Sequence, residues 1–264
     1  MGWLVVVTGG KGGPGATTLA VGLAGAWTAA GRPVLLVDAD PAGGDVAAHL
    51  VVGSEVLRRG VAPLAALGAA RIDPAAVLAE STALAPGLRV LVGVHRADAG
   101  GLLSRPVGVA IAEAACRVPG VELVVVDPGR LLPGSVAAAV VGLAEVGVIA
   151  VRADVPGALA AQRAFDAAGD VEGLWPVAVG VRRRSAADVA ELAEALGRPV
   201  AGVVPADPRG RRRALEMGQP PGGGRLGRAY AALATRLDPV GSRAPRRARA
   251  ADEPVEPGAE VASA

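Results

Sequence analysis

Apolar residues fall in short, nearly unbroken runs separated by longer stretches of helical period. The runs at residues 3–8, 33–38, 88–92, 123–127, 146–151, 175–181 and 200–204 are rich in valine and other strand-forming residues and predict strands buried on both faces. Between them, residues 17–30, 104–117, 134–143, 157–168 and 185–196 carry alanine and leucine at helical spacing. Ser185 suits an N-cap, and Gly169 and Gly197 suit helix stops. Such alternation predicts an α/β fold: a doubly wound, mostly parallel sheet flanked by helices. Sheets of this kind hold ligands at the carboxyl ends of their strands. Polar and glycine-rich stretches follow Thr8, Asp38, Asp127, Val181 and Val204, where chemistry is therefore expected.

The pattern lapses near Asp238. A basic stretch containing Arg243, Arg246, Arg247 and Arg249 leads into an acidic, proline-bearing end with Asp252, Glu253, Pro254, Glu256 and Pro257. Residues 1–237 are read as a single domain and residues 238–264 as a disordered tail.

Composition narrows the function classes. Of 264 residues, 52% are hydrophobic, enough for a sizeable core, but only 2% are aromatic, which argues against recognition of nucleic acid by base stacking. Lys+Arg 27 against Asp+Glu 25 is too balanced to imply a polyanionic partner by itself. The single cysteine, Cys116, has no partner for an internal disulfide and suits a reducing, cytoplasmic compartment. No apolar run reaches the roughly 18 residues a membrane helix needs, and the tail has no apolar stripe, so direct membrane insertion is not expected. His49 and His95 stand apart from any cluster at metal-ligand spacing.

The sharpest signal is Gly9-Gly10-Lys11-Gly12-Gly13-Pro14-Gly15-Ala16-Thr17-Thr18, between a predicted strand and a predicted helix. Glycines there let backbone N–H groups converge on an anion, and the helix start adds partial positive charge. The phosphate-loop pattern G-x-x-x-x-G-K-[ST] maps onto Gly10 through Thr17, with Ala16 in place of the lysine. One charge-assisted contact is worth about 1.5–3 kcal/mol, roughly 10- to 150-fold in affinity, so binding can survive the change. Hydrolysis depends more heavily on charge neutralisation. Lys11 and Arg130 are the cations positioned to compensate.

Lys11-Gly12-Gly13 resembles the deviant Walker A of the ParA/MinD superfamily, P-loop NTPase-like proteins of SIMIBI type. The resemblance implies ATP and Mg²⁺ as cofactors and a nucleotide-dependent homodimer. Lys11 matches the signature lysine that reaches across the dimer. Gly12, Gly13, Gly15, Ala16, Thr17 and Thr18 match the phosphate-binding positions, with Thr17 as the magnesium-binding hydroxyl. Asp38-Ala39-Asp40, continuing to Asp45, resembles switch I, which gives Asp40 a place near the attacking water or the metal. Leu123-Val124-Val125-Val126-Asp127 resembles Walker B and makes Asp127 a metal residue. Gly202 through Asp207, with Pro205 and Asp207, resembles the base-contacting loop. The asparagine that normally reads adenine has no counterpart at Gly180-Val181-Arg182. The closest flavour is the TadZ/CpaE branch, which implies a positioning protein for pilus or secretion machinery, with weak or absent ATP hydrolysis. A non-hydrolysing scaffold is the alternative favoured by Ala16. A partition ATPase that binds DNA nonspecifically is the alternative favoured by Arg182, Arg183, Arg184, Arg209, Arg211, Arg212 and Arg213.

Overall fold

The computed structural model describes residues 1–13, 15–50, 52–95, 100–169, 171–182 and 186–240. Among these residues eight strands form one sheet: β1 (Trp3–Gly9), β2 (Val34–Asp38), β3 (Thr82–Ala85), β4 (Leu88–Leu91), β5 (Leu123–Asp127), β6 (Val146–Arg152), β7 (Leu174–Val181) and β8 (Gly202–Pro205), in the order β3-β4-β2-β5-β1-β6-β7-β8. Every pairing is parallel except β3 with β4. The valine-rich runs are therefore central strands, apolar throughout because helices cover both faces.

The described helices are α1 (Ala16–Ala29), α2 (Val46–His49), α3 (Val61–Leu67), α4 (Pro74–Glu80), α5 (Arg105–Cys116), α6 (Val136–Val141), α7 (Val155–Ala168), α8 (Ala186–Leu196), α9 (Pro208–Met217) and α10 (Gly224–Arg236). On one face α1 and α10 pack through Leu19, Leu23, Leu226, Tyr230 and Leu233. The other face is covered by α5, α6 and α7, with Ile111, Val140 and Phe165 in its core. Gly22 makes the α1–α10 approach possible, since a Cβ there would run into the Tyr230 ring. The indole Nε1–H of Trp27 donates to the Ala234 carbonyl at 3.1 Å and ties the same two helices together.

The strands and long helices stand where the apolar pattern puts them, within a few residues. Gly169 ends α7 at φ 67°. The short elements between residues 46 and 85, and α9, have no counterpart in that pattern. Ser185, Arg183, Arg184 and residues 241–264 of the expected tail lie outside the described residues.

Candidate functional site

Strand β1 delivers the chain to the phosphate-loop sequence at the carboxyl edge of the sheet. Gly13 and Gly15 adopt φ 82° and 92°, left-handed values that a side chain would oppose. Gly15 is the N-cap of α1, which has neither a side-chain cap nor an acidic residue in its first turn. The first N–H groups of that helix lack intrahelical acceptors, and the helix dipole leaves them facing an electropositive space. Gly10 is pinned against α7, where a Cβ would strike the Ala160 carbonyl. Ala16 opens the helix with a methyl group, so this turn carries no side-chain charge.

Acidic residues gather beside the loop. Parallel pairing of β2 with β5 sets Asp38 directly opposite Asp127. Both are buried. Asp38 accepts from the Val46 N–H at 3.1 Å and the Asp40 N–H at 3.4 Å, with Gly44 and Gly93 backed so closely onto the carboxylate that a Cβ at either would overlap it. Burial, then the nearby Asp127 charge, holds the Asp38 carboxyl well above the usual carboxylate range. Asp127 accepts from the Thr17 hydroxyl and from the Gly129 N–H at 3.2 Å, yet burial pushes it up to about 6, with Asp40 and Asp45 adding repulsion. Asp40 accepts from the Ala42 N–H at 2.8 Å and lies against Gly129, which at φ 76° leaves room for it.

So Thr17, Asp40 and Asp127, expected from sequence to surround a metal, are brought together. Repulsion runs from Asp127 to Asp38, Asp40 and Asp45, and the Thr17 hydroxyl lies at the Asp127 carboxylate, so the cluster is electronegative and favours a nearby cation. Among the described residues no three His, Cys, Asp or Glu side chains converge at metal-ligating spacing. What the pair of Thr17 and Asp127 can offer a cation is one hydroxyl and one carboxylate, a set that fits Mg²⁺, which takes one or two protein groups and keeps several waters.

A cleft of about 720 Å³ runs from Gly13, Gly15 and Thr18 to Arg182, Pro205 and Asp207. Its far end is the loop expected to meet the base. Asp207 is not free there, because its Oδ1 accepts from the Gly210 N–H at 2.9 Å and caps α9. Arg211 and Arg212 also line the cleft, so part of the arginine-rich stretch belongs to this site. Lys11 and Gly12 line a separate cavity of about 110 Å³ towards the start of α7. The structure therefore does not bring Lys11 into the cleft with Thr18.

One residue joins the site without a motif to announce it, and one cation named from the sequence touches the loop. His49 Nδ1 lies 2.9 Å from the Asp45 carbonyl, to which it donates, and Nε2 lies 3.1 Å from the Thr18 hydroxyl. The ring thus bridges the Asp45 carbonyl and the Thr18 hydroxyl and links α2 to α1. The second residue is Arg130. Its guanidinium rests on Gly12, where a Cβ would fall 2.5 Å from Nη2. No local sequence signal marks the first link, since His49 is 31 residues from Thr18.

The model of the CobQ/CobB/MinD/ParA nucleotide binding domain matches residues 5–219. No curated protein matches the chain in sequence. Among solved structures, the ParA family ATPase from Chlorobium tepidum TLS superposes with a TM-score of 0.76 at 16% identity, over 89% of this chain and 99% of that one. The cell division ATPase MinD from Pyrococcus furiosus gives 0.72 at 18%, over 91% and 100%. MinD complexed with Mg-ADP from Pyrococcus horikoshii OT3 gives 0.72 at 18%, over 90% and 96%. These likenesses establish a shared fold, and with a family match over most of its length this chain belongs to the CobQ/CobB/MinD/ParA nucleotide-binding domain family.

Proposed function

We propose that the protein binds ATP with Mg²⁺ at this cleft and acts as a ParA/MinD-like positioning protein, a nucleotide-dependent homodimer that recruits protein partners. The observation that carries the reading is the uncapped start of α1, opening on one side to the 720 Å³ cleft and on the other to the Asp38–Asp127 cluster. Backbone N–H groups of the loop and of Thr17 and Thr18 orient the phosphates. The Thr17 hydroxyl and Asp127 would hold the cation, and Asp40, beside Gly129, would orient a water. Mg²⁺ supplies charge neutralisation at the terminal phosphates. Lys11, exposed and outside the cleft, is free to reach a partner protomer's nucleotide. MinD bound to Mg-ADP on the same fold supports the choice of ligand.

The TadZ/CpaE branch, with pilus or secretion machinery as the cargo, is the specific form proposed, with slow or absent hydrolysis because Ala16 leaves the loop without its lysine. Ala16 also favours a second reading: a scaffold that keeps the fold and turns over nothing. Among the described residues no helix is long and apolar enough to cross a membrane, so a membrane role would run through a partner.

Equilibrium binding of a labelled ATP analogue with Mg²⁺, to the natural protein and to Ala16→Lys, tests this. Micromolar binding by the natural protein supports the nucleotide switch. Binding by Ala16→Lys alone supports the scaffold. Binding by neither refutes the site. DNA retention that requires ATP and is lost above moderate salt would instead support the partition reading.

A further inference from the structure

The phosphate loop lacks a cation at position 16, and one stands beside it on another strand. We infer that Arg130 supplies the positive charge that the loop's own helix does not, and that it is a phosphate-binding residue of this site. The inference rests on the proposed binding of a nucleoside triphosphate.

The placement is built into the sheet. Strands β1 and β5 are parallel neighbours, paired from Trp3 with Leu123 to Val6 with Val126. Pairing continues past the end of β5: Gly9 bridges Arg130, and the Leu131 N–H donates to the Gly9 carbonyl at 3.0 Å. The Thr8 hydroxyl donates to the Gly129 carbonyl at 2.5 Å. These links fix the Arg130 backbone beside the first residue of the loop, and the side chain then crosses to Gly12. A Cβ on Gly12 would fall 2.5 Å from Nη2 and 3.0 Å from Cζ. Glycine at position 12 thus leaves room for the guanidinium to lie against the loop.

The charge is also uncommitted. Arg32 pairs with Glu122 and Asp238, Arg152 with Asp154, and Arg212 with Glu216. Among the described residues Arg130 has no such partner. Holding a guanidinium against a glycine backbone restricts a long side chain with no ion pair in return, which is expected of a group awaiting an anion. Guanidinium also suits the task, presenting a planar fork of N–H donors to phosphate oxygens. Arg130 follows Gly129, against which the Asp40 carboxylate lies, and its guanidinium meets the loop at Gly12, apart from Arg182, Arg211 and Arg212, which line the cleft.

The test is a mutant cycle on the full chain, read by equilibrium binding of a labelled, non-hydrolysable ATP analogue with Mg²⁺. Arg130→Gln is expected to weaken binding by roughly 10- to 150-fold, the effect of losing one charge-assisted contact. Arg130→Lys should retain most of the affinity. Arg130→Gln combined with Ala16→Lys should recover it, because charge then enters the loop from α1. Thermal unfolding of each variant without nucleotide should match that of the natural protein, as Arg130 is exposed. If Arg130→Gln binds as the natural protein does, the inference fails and the nucleotide site stands. If the Ala16→Lys combination does not rescue, Arg130 acts by other means than replacing that charge, and the inference fails. If neither the natural protein nor Ala16→Lys binds, both this inference and the nucleotide site fall together.

Discussion

Asp127→Asn is expected to stabilise the metal-free protein at neutral pH, although it removes a residue of the proposed site. Asp127 is buried at the end of β5, opposite Asp38, and its carboxyl titrates at about 6 against 3.8 for a solvated aspartate. At about 1.36 kcal/mol per pH unit, ionising it in the fold costs about 3 kcal/mol more than ionising it in the unfolded chain. The sign follows from the raised value: the folded state holds the proton more tightly. The contribution is fully present below about pH 4 and is lost as pH rises to about 6. Asparagine keeps the shape and the Oδ1 that accepts from the Gly129 N–H, carries no charge, and relieves the repulsion on Asp38. Denaturant unfolding in excess chelator, for natural protein and variant at pH 4 and pH 7.5, reads the difference directly. The two should be nearly equal at pH 4, and the variant about 1–3 kcal/mol more stable at pH 7.5. Adding Mg²⁺ with the nucleotide analogue should stabilise the natural protein and not the variant. A variant that is less stable by the same margin at both pH values would refute the reasoning, because the Thr17 and Gly129 hydrogen bonds would then outweigh the cost of burial.

Gly22→Val should lower stability by about 1–3 kcal/mol, since any Cβ at that position meets the Tyr230 ring between α1 and α10. Unchanged unfolding would mean that the two helices can separate without cost. His49→Ala removes the ring that holds the Thr18 hydroxyl, so the nucleotide analogue should bind roughly 2- to 10-fold tighter, the value of one hydrogen bond no longer in competition. Weaker binding would show instead that His49 itself contacts the nucleotide.

What can be read from the chain depends on how local the physics is. The central strands are legible because covering helices on both faces demand unbroken apolar runs, as in the stretch from Leu123 to Val126. Strand β3 is not, because Thr82–Ala85 alternates between half-buried and exposed positions at the sheet edge and offers no such run. Helix α9 is hidden by composition: Pro208–Met217 contains four arginines and no buried residue, so it reads as a basic patch. Its cap, Asp207 followed by Pro208, is visible in the sequence but there resembles a base-contacting loop. The phosphate loop is legible because its glycines, threonines and missing lysine are consecutive. The rest of the site depends on strand register. Asp38 and Asp127 are far apart in the chain, and only the pairing of β2 with β5 makes them repel. Arg130 reaches Gly12 only because β5 lies beside β1 and pairing outlasts the strand. A motif scores the loop by the residues it contains, so Ala16 registers as a loss. In the folded sheet a neighbouring strand ends at the same edge, and a cation it carries can serve the loop as well as one carried by α1.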